Sequence, residues 1–448
     1  RNSKPLRKKE FVQFRLNLKM ALPKSSLDWK FTQVFGDKSL IENVMEEDII
    51  TSMNFSRDGR YLAIGDIAGR IVVFEHKSAQ KNGKKLNELS YKTEFQSHFK
   101  EFDCLKSVDI DPKINLIEFL PTENENNFLL SSNDKTIKLW KLSDRVVRKS
   151  ERFPKKTLWT KQALSLPKIK VLESGLSPVN KVCYPMLHNY NINSISTCAD
   201  GERFLSSDDL TINLWFYGET ARCFTIFDIA PKNLSDISEV LTSARFDPNS
   251  DSLFACGTSK GILKLCDLRS NSRICAASMQ FEDEKLKSTK NFFTDFVSSI
   301  SDFTFAKDPN LLVSRSLLAA NVWDRRAPKQ PLVSTQLYEP IKSKLVALYE
   351  KELIFDKFDI RLSGDPSYFV TGMYNNAFHV CDLNGEKNTQ FELNFKKKTI
   401  SKLIKPGQFE QIGPDFDITK RVLKTACHPN FDFLVVASFN CLFVYNSL

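Results

Sequence analysis

An all-β fold, a seven-bladed WD40-type β-propeller, is what the 448-residue sequence predicts. Three observations point to it. The decapeptide SSNDKTIKLW at 131–140 returns as SSDDLTINLW at 206–215. In each copy apolar and polar residues alternate along the last five positions, the period of a strand with one buried face. Units of the same make, a polar turn leading into an apolar strand, recur seven times along the chain, the mark of a radial repeat array.

The elements follow in order. Residues 1–19 hold Arg1, Lys4, Arg7, Lys8, Lys9, Arg15 and Lys19 against Glu10 alone, so most of the net charge of +10 sits in a basic tail that is expected to be disordered. Met20 opens MALPKSSLDWKF, which makes that tail read as an upstream extension; residues 20–448 are expected to form one propeller. Near Trp29 to Phe35, SLDWKFTQVFG reads as a strand able to pair with the unit that ends at Leu448 and so to close the ring, removing sheet edges that would otherwise aggregate. The first unit, FSRDGRYLAIGDIAGRIVVFEHK, starts at Phe55, and the two decapeptides mark the second and third. In SSND the Asn and Asp side chains suit a tight reversal, where they accept hydrogen bonds from exposed backbone amides. Further units start at Phe246, Phe305, Leu362 and Cys427. Trp140-Lys141 and Trp323-Asp324 fall where a WD dipeptide belongs, Cys266-Asp267 and Cys381-Asp382 are looser forms, and Trp215-Phe216 departs. Spacing between units exceeds a minimal blade, so several connections carry insertions. The most distinctive is a basic stretch, Lys141 to Lys170, with apolar residues interleaved throughout, and a shorter patch is KKK at 396–398; such runs read as solvated loops, with a nuclear-import signal or a contact to an acidic partner as the other readings.

Several function classes find no support. There is no run of eighteen apolar residues, and RNSKPLRKKEF lacks the apolar core of a secretory signal, so neither a membrane span nor export is indicated. The expected compartment is the cytoplasm, with the nucleus as a second. Ten cysteines are scattered without a CxxC pair, the pattern of reduced thiols rather than of disulfides or zinc, and the N-x-S matches at Asn54 and Asn233 read as chance. Five histidines (His76, His98, His188, His379, His428) show no metal-ligand spacing, and no GxSxG, Walker loop or GxGxxG occurs. No catalytic residue, metal or cofactor is assigned. Acidic groups at Glu46-Glu47-Asp48, Asp208-Asp209 and Asp109 with Asp111 allow acid/base work, structural turn caps, or, if they share one end of the ring, a negative surface for basic peptides.

Longer strings carry a resemblance: EFQSHFKEFDCLKSVDIDPKINLIEFLP (Glu94 to Pro121), FLLSSNDKTIKLWKLSDR (Phe128 to Arg145), NINSISTCADGERFLSSDDLTINLW (Asn191 to Trp215), TSKGILKLCDLR (Thr258 to Arg269), FFTDFVSSISDFTF (Phe292 to Phe305) and LYEKELIFDKFD (Leu348 to Asp359). In this order they resemble the B-type, 55 kDa regulatory subunits of serine/threonine protein phosphatase 2A, from Trp29 to the C-terminus. The resemblance implies a propeller without catalysis or cofactor of its own. It would join the HEAT-repeat scaffold subunit and the metal-dependent catalytic subunit of protein phosphatase 2A in a heterotrimer and select phosphoprotein substrates and inhibitors. Matching positions for the family's acidic top-face platform are Glu46, Asp103, Lys106, Asp111, Lys113, Tyr190, Asp209, Ile237, Phe293 and Glu350. Asp209 and Ile237 match the pair that holds a short ligand helix, a carboxylate meeting Lys or Arg while the isoleucine buries an apolar side chain. The basic stretch, 141–172, with Arg145, Arg148, Lys149, Lys155, Lys156 and Trp159, matches the family's extended hairpin arm, which leaves the second blade and grips the scaffold. Ile67 stands where the family has Lys, Cys104 where an aromatic is usual, and SRSLLAANVW replaces a more polar turn around Ser316. On the residues alone two other readings stay open: a WD scaffold of another pathway, such as a chromatin or ubiquitin-ligase adaptor, and a nucleic-acid binder using the arm and tail, with steep salt dependence.

Overall fold

The computed structural model describes residues 29–36, 45–81, 84–121, 127–150, 169–270, 278–283, 293–393, 400–404 and 416–447. The basic tail, the outer arm with Lys155, Lys156 and Trp159, and the patch at 396–398 lie outside the described residues.

Seven antiparallel sheets form the blades, six of them from consecutive strands. Blade 1 runs Ile50–Phe55, Tyr61–Asp66, Arg70–Lys81 and Lys84–Gln96. The inner strands of the next five blades are Leu116–Phe119, Ser194–Thr197, Leu241–Phe246, Asp302–Phe305 and Ile360–Leu362, and blade 7 begins with Lys424–Cys427. Its outermost strand is Trp29–Phe35, paired antiparallel with Cys441–Ser447 from Phe35 opposite Leu442 to Trp29 opposite Ser447. The ring closes as the sequence predicts. Gln33 fastens the same strand to blade 1, accepting from the Leu89 amide at 2.8 Å. The sequence suggests blades of four strands; blade 6 has five, because Ile400–Ile404 pairs with Asn388–Glu392 and covers that blade's outer edge.

Apolar strand positions pack between neighbouring blades, so the core is divided into wedges. One wedge joins Phe35, Phe433 and Val444 of blade 7 to Met53, Leu62 and Phe74 of blade 1; another joins Leu130 and Leu139 of blade 2 to Phe204 and Trp215 of blade 3. At the channel the inner strands are tied by charge. Asp302 of blade 5 accepts from Arg245 of blade 4 at 2.9 Å and from Arg361 of blade 6 at 3.2 Å. Burial alone would raise the Asp302 carboxyl, but the two guanidiniums overcome it and hold it below the usual carboxylate range.

The repeated decapeptide has a physical reason. The indole Nε1 of Trp215 donates to Ser206 Oγ at 2.8 Å, that of Trp140 to Ser131 at 3.1 Å, and that of Trp323 to Ser314 at 2.9 Å. A buried indole N–H needs a partner, and a serine one strand away supplies it. The third residue of each decapeptide caps the turn: Asn133 Oδ1 accepts from the amides of Lys135 (3.0 Å) and Thr136 (2.7 Å), and Asp208 Oδ1 from those of Leu210 (2.9 Å) and Thr211 (2.6 Å).

Blade 5 keeps this turn with Ser316 in the capping position, its Oγ accepting from the Ala319 amide at 3.3 Å. The neighbouring Arg315 is buried, donating to Thr371 Oγ1 at 3.1 Å and the Leu317 carbonyl at 3.0 Å, with no ion pair among the described residues. Burial pulls its guanidinium down to about 10. Ser316→Asp adds a turn acceptor and a countercharge together and is expected to stabilise the fold by about 1 kcal/mol. A melting temperature that falls in the variant would show that the turn lacks room for the carboxylate.

Candidate protein-docking face

Antiparallel pairing sends alternate connections to opposite ends of a blade. The turns joining second to third strands, and the links from one blade to the next, therefore share one end of the ring. All ten platform candidates sit in such connections. Glu46 opens the 3-10 turn Glu46–Asp48 before blade 1, and Asp103, Lys106, Asp111 and Lys113 lie between Gln96 and Leu116. Tyr190 lies between Tyr184 and Ser194, Asp209 between Ser207 and Thr211, and Ile237 between Asp228 and Leu241. Phe293 lies between Phe281 and Asp302, and Glu350 between Gln336 and Ile360.

Hydrogen bonds join these connections sideways. The Glu47 carbonyl accepts from the Ala68 amide at 3.1 Å, the Asp111 carbonyl from Asn133 Nδ2 at 3.2 Å, and the Asn189 carbonyl, next to Tyr190, from Lys135 Nζ at 2.8 Å. Farther round, the Asp209 carbonyl accepts from the Leu241 amide at 2.8 Å, Lys260 Nζ donates to Ser238 Oγ beside Ile237 at 3.2 Å, and the Leu317 amide reaches the Val297 carbonyl at 3.3 Å. Phe293 meets Tyr349, next to Glu350, with ring centroids 6.2 Å apart. The candidates are thus spread along a continuous rim, with Asp209 and Glu350 on different blades.

The two acids of SSDD divide the work. Asp208 is 1% exposed and belongs to a buried chain: His188 Nδ1 lies 3.1 Å from its Oδ2, His188 Nε2 lies 2.6 Å from Ser206 Oγ, and Trp215 donates to the same hydroxyl. Burial alone would raise the Asp208 carboxyl, yet hydrogen bonds from His188, Leu210 and Thr211 bring it down to about 2. Asp209 is half-buried at the rim, where Asn193 Nδ2 approaches Oδ1 at 3.4 Å. Burial raises its carboxyl above the usual range, against the pull of Lys357 and the Asn193 bond. Asp134 repeats the position in blade 2, held by Asn115 Nδ2 at 2.6 Å. Turn-capping therefore belongs to the first acid, while the second projects at the surface.

Apolar groups lie in connections at the same end of the ring. Tyr349 (42% exposed) and Phe355 (56% exposed) gather round Phe296, with Phe296 centroids 5.8 Å and 5.7 Å from theirs. On the hairpin formed by Glu101–Asp103 and Val108–Ile110, Phe102 and Leu105 are exposed.

No family model matches the chain. The gamma isoform of the B-type, 55 kDa regulatory subunit of serine/threonine-protein phosphatase 2A from Oryctolagus cuniculus is 37% identical over 418 residues, covering 90% of this chain and 94% of that protein. The chain belongs to the B-type, 55 kDa regulatory subunit family of protein phosphatase 2A.

In this family member the arm is described only in part. Its strands Ile137–Ser150 and Ile169–Tyr184 pair out to Ser150 opposite Ile169, and Arg145 is exposed; the tip, with Lys155, Lys156 and Trp159, is outside the described residues, as are the side chains of Arg148 and Lys149. Of the departures from the family pattern, Cys104 is exposed on the 101–110 hairpin and Ile67 is half-buried in the turn next to Glu47. Sequence reasoning missed Lys357 and Lys424, at the end of the ring where the inner strands begin, because no local pattern distinguishes them from surface lysines. Tyr349 and Phe355 stand in the string LYEKELIFDKFD, where three aromatics interleaved with charged residues were the available signal.

Proposed function

We propose that this chain is the substrate-targeting regulatory subunit of a protein phosphatase 2A heterotrimer. It bridges the HEAT-repeat scaffold and the catalytic subunit and recruits phosphoproteins across the rim that carries Asp209. The observation that carries the reading is the common end of the ring from which the connections bearing Glu46, Asp209, Ile237, Phe293 and Glu350 all leave, in a member of this family. A short amphipathic helix suits such a rim. Its Lys or Arg meets the Asp209 carboxylate, and its apolar face lies on Ile237, Phe293 and Tyr349. The chain itself does no chemistry; it raises the local concentration of a phosphorylated segment at the catalytic subunit's metals. The arm docks the scaffold.

The raised Asp209 carboxyl sets a pH dependence. A cationic helix binds the ionised form, so affinity falls as pH drops through the Asp209 value, at a higher pH than for an ordinary surface carboxylate.

Asp209→Lys tests the reading. Reversing this charge is expected to slow dephosphorylation of recruited substrates by about tenfold or more, with the scaffold and catalytic subunits copurifying as before. Removal of residues 151–168 should have the opposite pattern, loss of copurification with the propeller still folded. If Asp209→Lys melts far below the parent chain, Asp209 serves the turn and not a ligand.

A further inference from the structure

Three lysines stand round the mouth of the central channel without a carboxylate at ion-pair distance among the described residues. Lys113 lies two residues before Asn115, whose amide donates to the Ser132 carbonyl at 2.8 Å and fixes the entry to blade 2. Lys357 lies in the connection entering blade 6, yet its Nζ reaches past blade 5 to the Thr242 carbonyl on the inner strand of blade 4, 3.5 Å away. Lys424 is the first residue of the inner strand of blade 7. All three therefore sit at the end of the ring where inner strands begin, and Lys113 lies within electrostatic reach of the other two.

Neighbouring cations are matched. Arg245 and Arg361 share Asp302, and Arg70 is held by Asp48 and Asp66 at 2.6 and 2.7 Å. Lys113 and Lys357 are open to solvent and Lys424 is half-buried, so an arriving ion can reach them. Desolvation lowers both Lys357 and Lys424; Asp209 and Asp302 oppose this for Lys357 and Asp359 and Asp302 for Lys424, while Lys424 and then Lys113 repel Lys357, and Arg361 and then Lys113 repel Lys424. Converging like charges in a recess are costly unless an anion offsets them. Ammonium groups on flexible stems bind phosphate oxygens as point charges, and three from separate blades suit the several oxygens of one phosphate group.

We propose that the channel mouth bounded by Lys113, Lys357 and Lys424 is a binding site for a phosphate-bearing anion. The site borders the recruitment rim, sharing Lys113 with it and placing Lys357 within electrostatic reach of Asp209, but its test requires no scaffold, catalytic partner or client protein.

Isothermal titration calorimetry on the full chain, at constant ionic strength in chloride, tests it with inorganic phosphate and with inositol hexakisphosphate as probes. Saturable binding of one anion per chain is expected. Lys357→Gln and Lys424→Gln should each weaken it about tenfold. Lys260→Gln, at the blade 4 rim, should leave it unchanged. Should Lys424→Gln fail to fold, Lys113→Gln at an exposed position gives the same reading. Much tighter binding of the hexakisphosphate assigns the site to a small polyphosphate; comparable affinity for both assigns it to a single phosphate group. The proposal is overturned by absence of saturable heat with both probes, or by equal affinity in the parent chain, Lys357→Gln and Lys113→Gln.

Discussion

A chain that begins after residue 36, and so lacks Trp29–Phe35, is expected to lose the folded monomer altogether. The deleted strand buries Trp29, Val34 and Phe35, at 7%, 1% and 5% exposure, and supplies the outer ladder along Cys441–Ser447, whose other side pairs with Phe433–Ser438. Full burial of side chains of this size is worth about 1.5–3 kcal/mol each, so roughly 5–9 kcal/mol goes with the strand. That is comparable to the net stability of a whole domain, about 5–15 kcal/mol. The strand left behind would show an unpaired, apolar edge, the kind that pairs with other chains. Size-exclusion chromatography and thermal melting decide the matter: the truncated chain should elute as aggregate, whereas Phe35→Ala should stay monomeric with a lowered melting temperature. A truncated monomer melting like the full chain would mean that the ring does not depend on this closure.

The second large effect is expected at Asp208. Alanine there removes the acceptor for the Leu210 and Thr211 amides and leaves His188 Nδ1 facing an apolar void. Each buried group left without its hydrogen-bond partner in this way costs about 1–3 kcal/mol. Asp208→Asn should cost much less, since Asn133 already caps the equivalent turn of blade 2 with its amide oxygen. The pH dependence has a definite sign. The Asp208 carboxyl lies near 2 in the folded chain, below its unfolded value, so its contribution is present in full above the unfolded value and is lost as pH falls toward 2. Melting curves between pH 5 and 2, compared for parent and Asp208→Asn, should converge at the acid end. Parallel curves would show that Asp208 is not the group responsible.

Much of the fold was legible because its causes are local. Period-two alternation, Asn or Asp in tight turns and a Trp nine residues after a Ser are features of a single hairpin, and each blade repeats them. Ring closure was legible too, because WKFTQVF has strand patterning and no neighbour in sequence to pair with. The fifth strand of blade 6 escaped notice, since Ile400–Ile404 follows a lysine run that reads as loop. Of the two acids in SSDD, the letters alone did not tell which one caps and which one projects. That depends on His188, eighteen positions before Ser206, folding under the turn to engage Asp208.

From its letters the chain determined the blade count, the turn chemistry and the strand that closes the circle, because hydrophobic alternation and turn capping act over a few residues. Only the tertiary structure decided which charges are matched and which converge. Lys357 meets Thr242 across 115 positions of sequence, and Asp302 joins Arg245 and Arg361 from the blades on either side. Coulomb energy depends on distance and burial through space, and those distances exist only once seven separate sheets have been bent into one ring.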